Sequence, residues 1–262
     1  MKISVLVENH DSEICGGEHG LSLFIEIGET KVLFDTGSSS LFIENAVKMG
    51  VDVNSAQYVV LSHGHYDHGN GLAYLINKEL VCHVGSFVER FRKADHKPIG
   101  LPLTLQQAHS RFTLVLSESP VELGEGLYFM GEIPRRMSHE IQPAFSYLAS
   151  GEDDPITDDS ALVYSTPLGN MIITGCSHSG ICNIIEHAMA ITGDMRTYMV
   201  IGGLHLKELN ESVYKTIDYL KEQGVKYLYP VHCTDESVVE ALKNALPETE
   251  VKSVKTGDTL EF

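Results

Sequence analysis

The sequence is poor in positive charge, with 19 Lys and Arg against 36 Asp and Glu and a formal net charge of −17. Its basic residues are spread thinly and form no run. A protein that binds nucleic acid needs a basic face, because the phosphate backbone dominates its affinity. We therefore predict that nucleic acid is not a partner. An acidic surface near a site would instead attract cations.

Long apolar runs are also missing, and none approaches the roughly 18 residues of a membrane span. The first residues, MKISVLVENHDSE, do not fit a signal peptide, because acidic residues interrupt the apolar stretch after a few positions. These two absences predict a cytoplasmic protein with no membrane partner. The 262 residues, 43% of them hydrophobic, are enough to bury a substantial core.

Cysteine is scarce and irregularly spaced. The five cysteines are odd in number and no two of them show CxxC spacing, which argues against a disulfide framework and a zinc ribbon. Histidine, by contrast, occurs 13 times. Several histidines stand beside Gly, Ser or Cys at the ends of apolar runs, where α/β proteins place their chemistry. These are His63, His65, His68, His178 and His232.

The order of apolar runs and helical patterns predicts strands followed by mixed β/α structure, twice over. From about residue 110 the second half repeats the plan of the first, which indicates two sheets packed face to face with helices outside. A helix is predicted over 87–93, a long irregular loop over 94–110 and a loop-rich region over 133–159. The acidic cluster at 152–154 in that region is interpreted as solvated.

One stretch, LSHGHYDHGNG (residues 61–71), directly follows a short apolar strand. His63, His65, Asp67 and His68 lie within six positions of it. On a tight loop, residues two apart can converge on one point, and the adjacent Asp and His can reach a second. Neutral imidazole and carboxylate groups suit zinc, iron or manganese. The spacing therefore predicts a metal site.

The HxHxDH pattern, preceded by FDTG at 34–37, resembles the metallo-β-lactamase superfamily. The resemblance implies an α+β fold, an αββα sandwich of two mixed β-sheets packed face to face with helices on both outer faces. It covers nearly the whole chain, and we predict a single domain over 1–262. Five more motifs resemble the branch named after the archaeal dihydropterin–ribofuranosylaminobenzene phosphate synthase: EHGLS (18–22), GEIPR (131–135), TGCSHSGI (174–181), GGLHL (202–206) and PVHCT (230–234).

The resemblance also implies two divalent metal ions, zinc in the first instance, with iron or manganese as alternatives. It assigns His63, His65 and His178 to the first ion and Asp67, His68 and His232 to the second. It further implies that Asp35 orients a ligand histidine, since a ligating imidazole needs an acceptor for its other N–H. The alternative for Asp35 is a cap on the helix at 38–49.

The sequence departs from the superfamily pattern in two places. The segment 155–159 lacks the usual ligand histidine, so His178 is taken as its substitute and His139 is the rival. Cys176 stands where hydrolases of the superfamily usually carry a bridging Asp. Its thiolate can bind zinc or iron, but a small buried Cys that packs at the strand end is an equal alternative.

Three further side chains are predicted to contact substrate. Arg135, beside Arg136, could hold a phosphate group, because the guanidinium fork matches phosphate oxygens. The alternative is a solvated surface arginine. His19 and His205 begin or end apolar runs and could line the pocket or serve the structure alone.

These residues favour a hydrolase in which a hydroxide at the binuclear site attacks a small ester or lactone, phosphorylated or not. Asp67 could take a proton during turnover. The alternatives are a transferase of the dihydropterin/ribofuranosylaminobenzene phosphate synthase type and a non-catalytic metal-binding sensor. The expected partner is a small-molecule substrate, and a homo-oligomer is left open.

Overall fold

The computed structural model describes residues 1–141 and 143–262. The chain divides into two compact units. The first unit contains Met1–Glu118, Pro143–Asp158 and Lys255–Phe262, and the second contains the rest of the described chain. In chain order the strands are β1 (Lys2–Val7), β2 (Ser22–Ile27), β3 (Thr30–Phe34), β4 (Tyr58–Val60), β5 (Glu79–Cys82), β6 (Arg90–Arg92), β7 (Thr113–Leu116), β8 (Val121–Gly124), β9 (Leu127–Phe129), β10 (Ser146–Leu148), β11 (Ala161–Thr166), β12 (Gly169–Thr174), β13 (Thr197–Gly202), β14 (Tyr227–Pro230), β15 (Glu250–Val251) and β16 (Thr259–Glu261). The helices are α1 (Leu41–Met49), α2 (Tyr66–Gly69), α3 (Leu105–Arg111), α4 (Ile181–Thr192), α5 (Glu211–Gln223) and α6 (Glu236–Ala245).

The first unit contains a mixed sheet of seven strands in the order β16-β1-β2-β3-β4-β5-β7. Within this sheet the neighbours β16, β1, β2 and β3 pair antiparallel, and the neighbours β3, β4, β5 and β7 pair parallel. Phe42 and Ala46 on α1 pack in one core with Leu33, Val59 and Leu80 of the sheet. The carboxyl ends of β3 and β4 therefore lie side by side, and the FDTG and HxHxDH segments leave the sheet together there.

The second unit repeats this plan, with the sheet order β15-β14-β13-β12-β11-β9-β8. Strands β12 to β15 pair parallel, and the remaining three pair antiparallel with their neighbours. Its core combines Ile172, Val200 and Leu228 of the sheet with apolar residues of α4, α5 and α6. Three neighbouring parallel strands thus end at one edge of this sheet, each followed by a loop.

The fold class predicted from the sequence, α+β with two mixed sheets and associated helices, is confirmed. The single domain over 1–262 stays a prediction. Among the described residues, no helix is both long and apolar enough to cross a membrane.

Several local predictions were wrong. Residues 87–93 form no α-helix: a 3-10 turn at Val84–Phe87 leads into β6, which pairs with β10 from the predicted loop region. Part of the predicted loop at 94–110 is helical, because α3 begins after Thr104 with a capping box between Thr104 and Gln107. Asp154 of the acidic cluster is buried rather than solvated.

Candidate functional site

In the first unit the four candidate ligands of the HxHxDH loop are buried. His63 and His68 are fully buried, and His65 and Asp67 nearly so. His63 Nε2 lies 2.9 Å from His65 Nδ1, and the rings of His63 and His68 have centroids 4.3 Å apart. Two nitrogen ligands on one tetrahedral zinc, at Zn–N bonds near 2.0–2.1 Å, lie roughly 3.3 Å apart. The arrangement of His63 and His65 therefore fits a shared ion.

Asp35 sets the orientation of two of these imidazoles. Its carboxylate accepts hydrogen bonds from the Ser62 N–H (2.7 Å), from Ser62 Oγ (2.7 Å) and from His68 Nδ1 (2.7 Å). Because Ser62 Oγ donates to Asp35, it accepts from His63 Nδ1, which lies 2.9 Å away. Both rings thus carry their proton on Nδ1 and present the lone pair of Nε2, the form that binds a metal.

The alternative role of Asp35 as a helix cap was wrong. The residue before α1 is Ser40, whose side chain makes no capping hydrogen bond, and the Leu41 N–H donates to Ser39 Oγ rather than to Asp35. Asp35 has a φ of 56°, a left-handed conformation that is uncommon for a residue with a side chain. It keeps this conformation while its carboxylate faces the HxHxDH loop, as expected of a residue that orients a ligand histidine.

A buried ion pair holds the same loop from the other side. The Gly64 N–H donates to Asp158 Oδ2 at 2.7 Å, and Arg90 Nη2 donates to Asp158 Oδ1 at 2.9 Å. Arg90 is 1% exposed and also lies 3.5 Å from Asp154 through Nε. The sequence interpretation missed Arg90 and Asp158. The signal for Asp158 was its position in the segment that lacks the superfamily's histidine.

Asp67, the predicted proton carrier, contacts His19. His19 Nε2 lies 3.1 Å from Asp67 Oδ2, and the His19 side chain is 60% exposed. The Leu21 N–H donates to the backbone oxygen of Asp67, which ties the two segments together. An exposed imidazole on a nearly buried carboxylate could relay a proton to solvent. The predicted substrate contact of His19 stays a prediction.

In the second unit the predicted residues lie on three loops that follow β12, β13 and β14. The first loop carries Cys176 and His178, the second His205, and the third His232 and Cys233. Because these strands are parallel neighbours, their carboxyl ends meet at one edge. Ser177, His205 and His232 all have positive φ near 50°, so left-handed backbone recurs on each loop. Such conformations cluster at functional sites.

These loops bring thiol and imidazole groups together. The rings of His178 and His205 have centroids 4.4 Å apart, and the Cys233 thiol donates to the backbone oxygen of Cys176 at 3.7 Å. Burial alone would raise the pKa of the Cys233 thiol. Hydrogen bonds with Cys176 and His205 and the nearby His232 ring lower this pKa by more, so that it lies well below its usual range. Cys176 is buried, as both of its predicted roles require.

Arg135 lies near a buried carboxylate of the same unit. Burial raises the pKa of Asp159 to about 6, against the hydrogen bond from the Ser179 N–H and the positive charge of Arg135. Arg135 is half-buried, whereas Arg136 is exposed. The description of a fully solvated surface arginine therefore fits Arg136 and not Arg135.

The rival ligand His139 has a different neighbourhood. Its Nε2 lies 3.9 Å from Cys182 Sγ. The adjacent Glu140 accepts hydrogen bonds from the backbone N–H groups of Cys182 and Asn183, both at 3.0 Å. Glu140 thus caps the first turn of α4. His139 lies beside this cap, and we retain His178 as the predicted ligand.

Comparisons with known proteins agree with the motifs. The family model described as the metallo-beta-lactamase superfamily matches residues 15–232. One relative is the 7,8-dihydropterin-6-methyl-4-(beta-D-ribofuranosyl)-aminobenzene-5'-phosphate synthase of Methanocaldococcus jannaschii. The two chains are 32% identical over 238 residues, and this match covers 83% of this chain and 81% of the synthase. This chain is also 30% identical over 241 residues to an uncharacterized protein of the same organism, 88% of this chain and 90% of that one.

Solved structures give the same result. A metal-dependent hydrolase of the beta-lactamase superfamily superposes with a TM-score of 0.88 at 30% identity, over 100% of this chain and 99% of the other. A diphosphatase of the PhnP family shares the fold alone, with a TM-score of 0.58 and 14% identity over 100% and 97% of the two chains. The resemblance read from HxHxDH and the five further motifs is confirmed: this chain belongs to the metallo-β-lactamase superfamily.

Proposed function

We propose that this chain is a metal-dependent hydrolase whose two divalent ions are held by six side chains. The ligands are His63, His65 and His178 for the first ion, and Asp67, His68 and His232 for the second. The observation that carries the proposal is the 2.9 Å approach of His63 Nε2 to His65 Nδ1 in a member of this superfamily. For His178 and His232 the support is their place on loops after neighbouring parallel strands.

The bound ions, zinc in the first instance with iron or manganese as alternatives, would lower the pKa of water and so supply a nucleophile near neutral pH. The protein orients the site through Asp35, which holds His68 directly and His63 through Ser62. Asp67 takes up the proton that leaves during turnover, and His19, 3.1 Å away, passes it to solvent.

The substrate is a small ester or lactone, and Arg135 would recognise a phosphate group on it. A half-buried guanidinium binds phosphate oxygens more strongly than a solvated one, because less water competes for its N–H groups. His205, on the loop after β13, would line the substrate pocket together with Arg135. The cytoplasmic location and the absence of a nucleic-acid partner stay predictions from composition.

The ligand assignment predicts that His65→Ala loses metal and turnover together. Removing one imidazole of a trio takes away a direct bond to the ion, so the first ion should dissociate on dialysis. Elemental analysis of the dialysed protein measures the metal content, and a panel of phosphoesters and lactones measures turnover. His109→Ala, on the exposed face of α3, is the matched control and should keep both. Unchanged metal content in His65→Ala would contradict the assignment.

The phosphate role predicts a selective effect of Arg135→Ala. KM should rise by about tenfold or more for a phosphorylated substrate, because one charge-assisted contact contributes roughly 1.5–3 kcal/mol. KM for an unphosphorylated analogue should change little. Arg136→Ala, at the exposed neighbouring position, is the control. Equal changes for both substrates in Arg135→Ala would rule out the phosphate role.

A transferase is the second candidate, favoured by the 32% identity to the archaeal synthase over most of both chains. Such an enzyme would release its leaving group only when an acceptor is present. A hydrolase turns over in water alone. Mass spectrometry of the products with and without an added aromatic acceptor therefore separates the two. A metal-binding sensor would give full metal content and no product in either assay.

A further inference from the structure

Three side chains of the second unit converge, and the proposed hydrolase uses neither of the two thiols among them. Cys176, His205 and Cys233 each follow the end of a strand by no more than three residues, after β12, β13 and β14 respectively. These strands are parallel neighbours, so the three loops leave the sheet at one edge. Each loop contributes one soft or borderline ligand group to that edge.

The ligand atoms are close enough for one ion. The thiol sulfurs of Cys176 and Cys233 and a ring nitrogen of His205 all lie within 4.8 Å of one another. Around tetrahedral zinc, with Zn–S near 2.3 Å and Zn–N near 2.0–2.1 Å, such atoms stand roughly 3.5–3.8 Å apart. Both cysteines are buried.

The backbone around these groups is fixed in advance. The Gly203 N–H donates to Gly175 O at 2.8 Å, and the Val231 N–H donates to Gly202 O at 3.1 Å. These bonds tie the loops after β12, β13 and β14 to one another. Any side chain on Gly203 would overlap the Cys233 sulfur and lie 2.7 Å from Gly175 O. The thiol is therefore seated against bare backbone, in a cradle that a single Cβ would fill.

We propose that Cys176, His205 and Cys233 form a thiolate site for a soft divalent ion, with zinc as the natural occupant. Two S–H bonds break and two metal–sulfur bonds form, the two protons leave to solvent, and no atom changes oxidation state. Water or a small exogenous ligand completes the fourth position. This site goes beyond the proposed hydrolase, because it uses none of the HxHxDH residues and neither His178 nor His232.

The test is saturation of the full-length apoprotein with cobalt under a phosphine reductant. Thiolate coordination gives a charge-transfer band in the near ultraviolet that imidazole and carboxylate ligands do not. Cys233→Ser should lower this band to about half or less, since one of two thiolates is lost, and should remove one equivalent of tightly bound metal. Cys15→Ser changes a buried thiol of the first unit and should leave both values as in the wild type.

The same assay separates this site from the hydrolase ligands. His65→Ala should lose metal from the proposed pair and keep the charge-transfer band. If Cys176→Ser abolishes the band while Cys233→Ser leaves it intact, Cys176 acts alone and the three-residue site is wrong. Full metal content in Cys233→Ser would also overturn it.

A measurement on the wild type covers the case in which Cys233→Ser does not fold, as judged by circular dichroism. Cadmium NMR of the cadmium-loaded protein should show one resonance displaced to the range of sites with two sulfur ligands. Resonances only in the range of oxygen and nitrogen ligands, or of a single sulfur, would contradict the site.

Discussion

Gly64 shows how one missing side chain shapes the HxHxDH loop. It stands between His63 and His65, and its N–H donates to the buried Asp158. A Cβ at this position would overlap the backbone carbonyl of Ser86. Because backbone cannot move aside as a flexible side chain can, only glycine lets the loop pass this close.

Gly64→Ala is therefore predicted to destabilise the protein by at least about 2 kcal/mol, the range of overpacking in a dense region. Urea denaturation followed by circular dichroism measures the change in the free energy of unfolding. Gly16→Ala is the matched control, because its Cβ would meet nothing nearer than Leu41 Cδ1 at 3.6 Å. A free energy of unfolding equal to that of Gly16→Ala would mean that the loop has room which the structure does not show.

Whether a group of interacting residues can be predicted from the sequence depends on how far apart its members lie along the chain. His63, His65, Asp67 and His68 are visible because they share one short loop, and FDTG pointed to Asp35. Arg90 and Asp158 are 68 positions apart, and no local pattern in the sequence pairs them. A buried ion pair of this kind is a consequence of tertiary packing alone.

Arg90 lies on the short strand β6, which pairs with the equally short β10, whereas Asp154 and Asp158 follow β10 in the chain. The two strands pair antiparallel, Arg92 opposite Ser146 and Arg90 opposite Leu148. Strands of three residues have no recognisable period, so helix was predicted over 87–93 in error. The capping box at α3, by contrast, is a local signal of Thr and Gln three positions apart that the sequence does contain.

Arg90→Met is predicted to lower the free energy of unfolding by about 3–5 kcal/mol, because it leaves the buried carboxylates of Asp154 and Asp158 without their cation. Lys93→Met is the control. Its ion pair with Asp153 is exposed, at 41% and 70% for the two side chains, and should contribute less than about 1 kcal/mol. Urea denaturation of both variants gives the comparison. Similar small losses would show that water reaches Arg90.

The two sheets, seen together, share one order of strands, and this repetition was predicted from the sequence. Each sheet joins an antiparallel half to a parallel half, and the candidate ligands follow parallel strands in both. Carboxyl ends of adjacent parallel strands meet at one edge, so the ligand loops are grouped by the topology itself. What the sequence could not supply is the spacing of atoms within each group, which depends on side-chain packing.

Metal binding by groups spread over so much of the chain links the ions to the stability of the fold. The proposed ligands are separated by up to 169 positions, from His63 to His232, so they would hold ions only in the folded state. At a free metal concentration 100 times Kd, each such ion adds about 2.7 kcal/mol. For a chain of this length that corresponds to a rise in melting temperature of roughly 5–10 °C.

Calorimetry with zinc and with excess chelator should therefore give well-separated melting temperatures, the chelated protein melting lower. His65→Ala is the internal control. Having lost one ion of the pair already, it should melt between the zinc-loaded and the chelated wild type and respond less to the chelator. If the wild type melted at one temperature under both conditions, the predicted ligands would not hold metal in the folded protein. A full response in His65→Ala would instead assign the stabilising ion to other residues, of which Cys176, His205 and Cys233 are the first to examine.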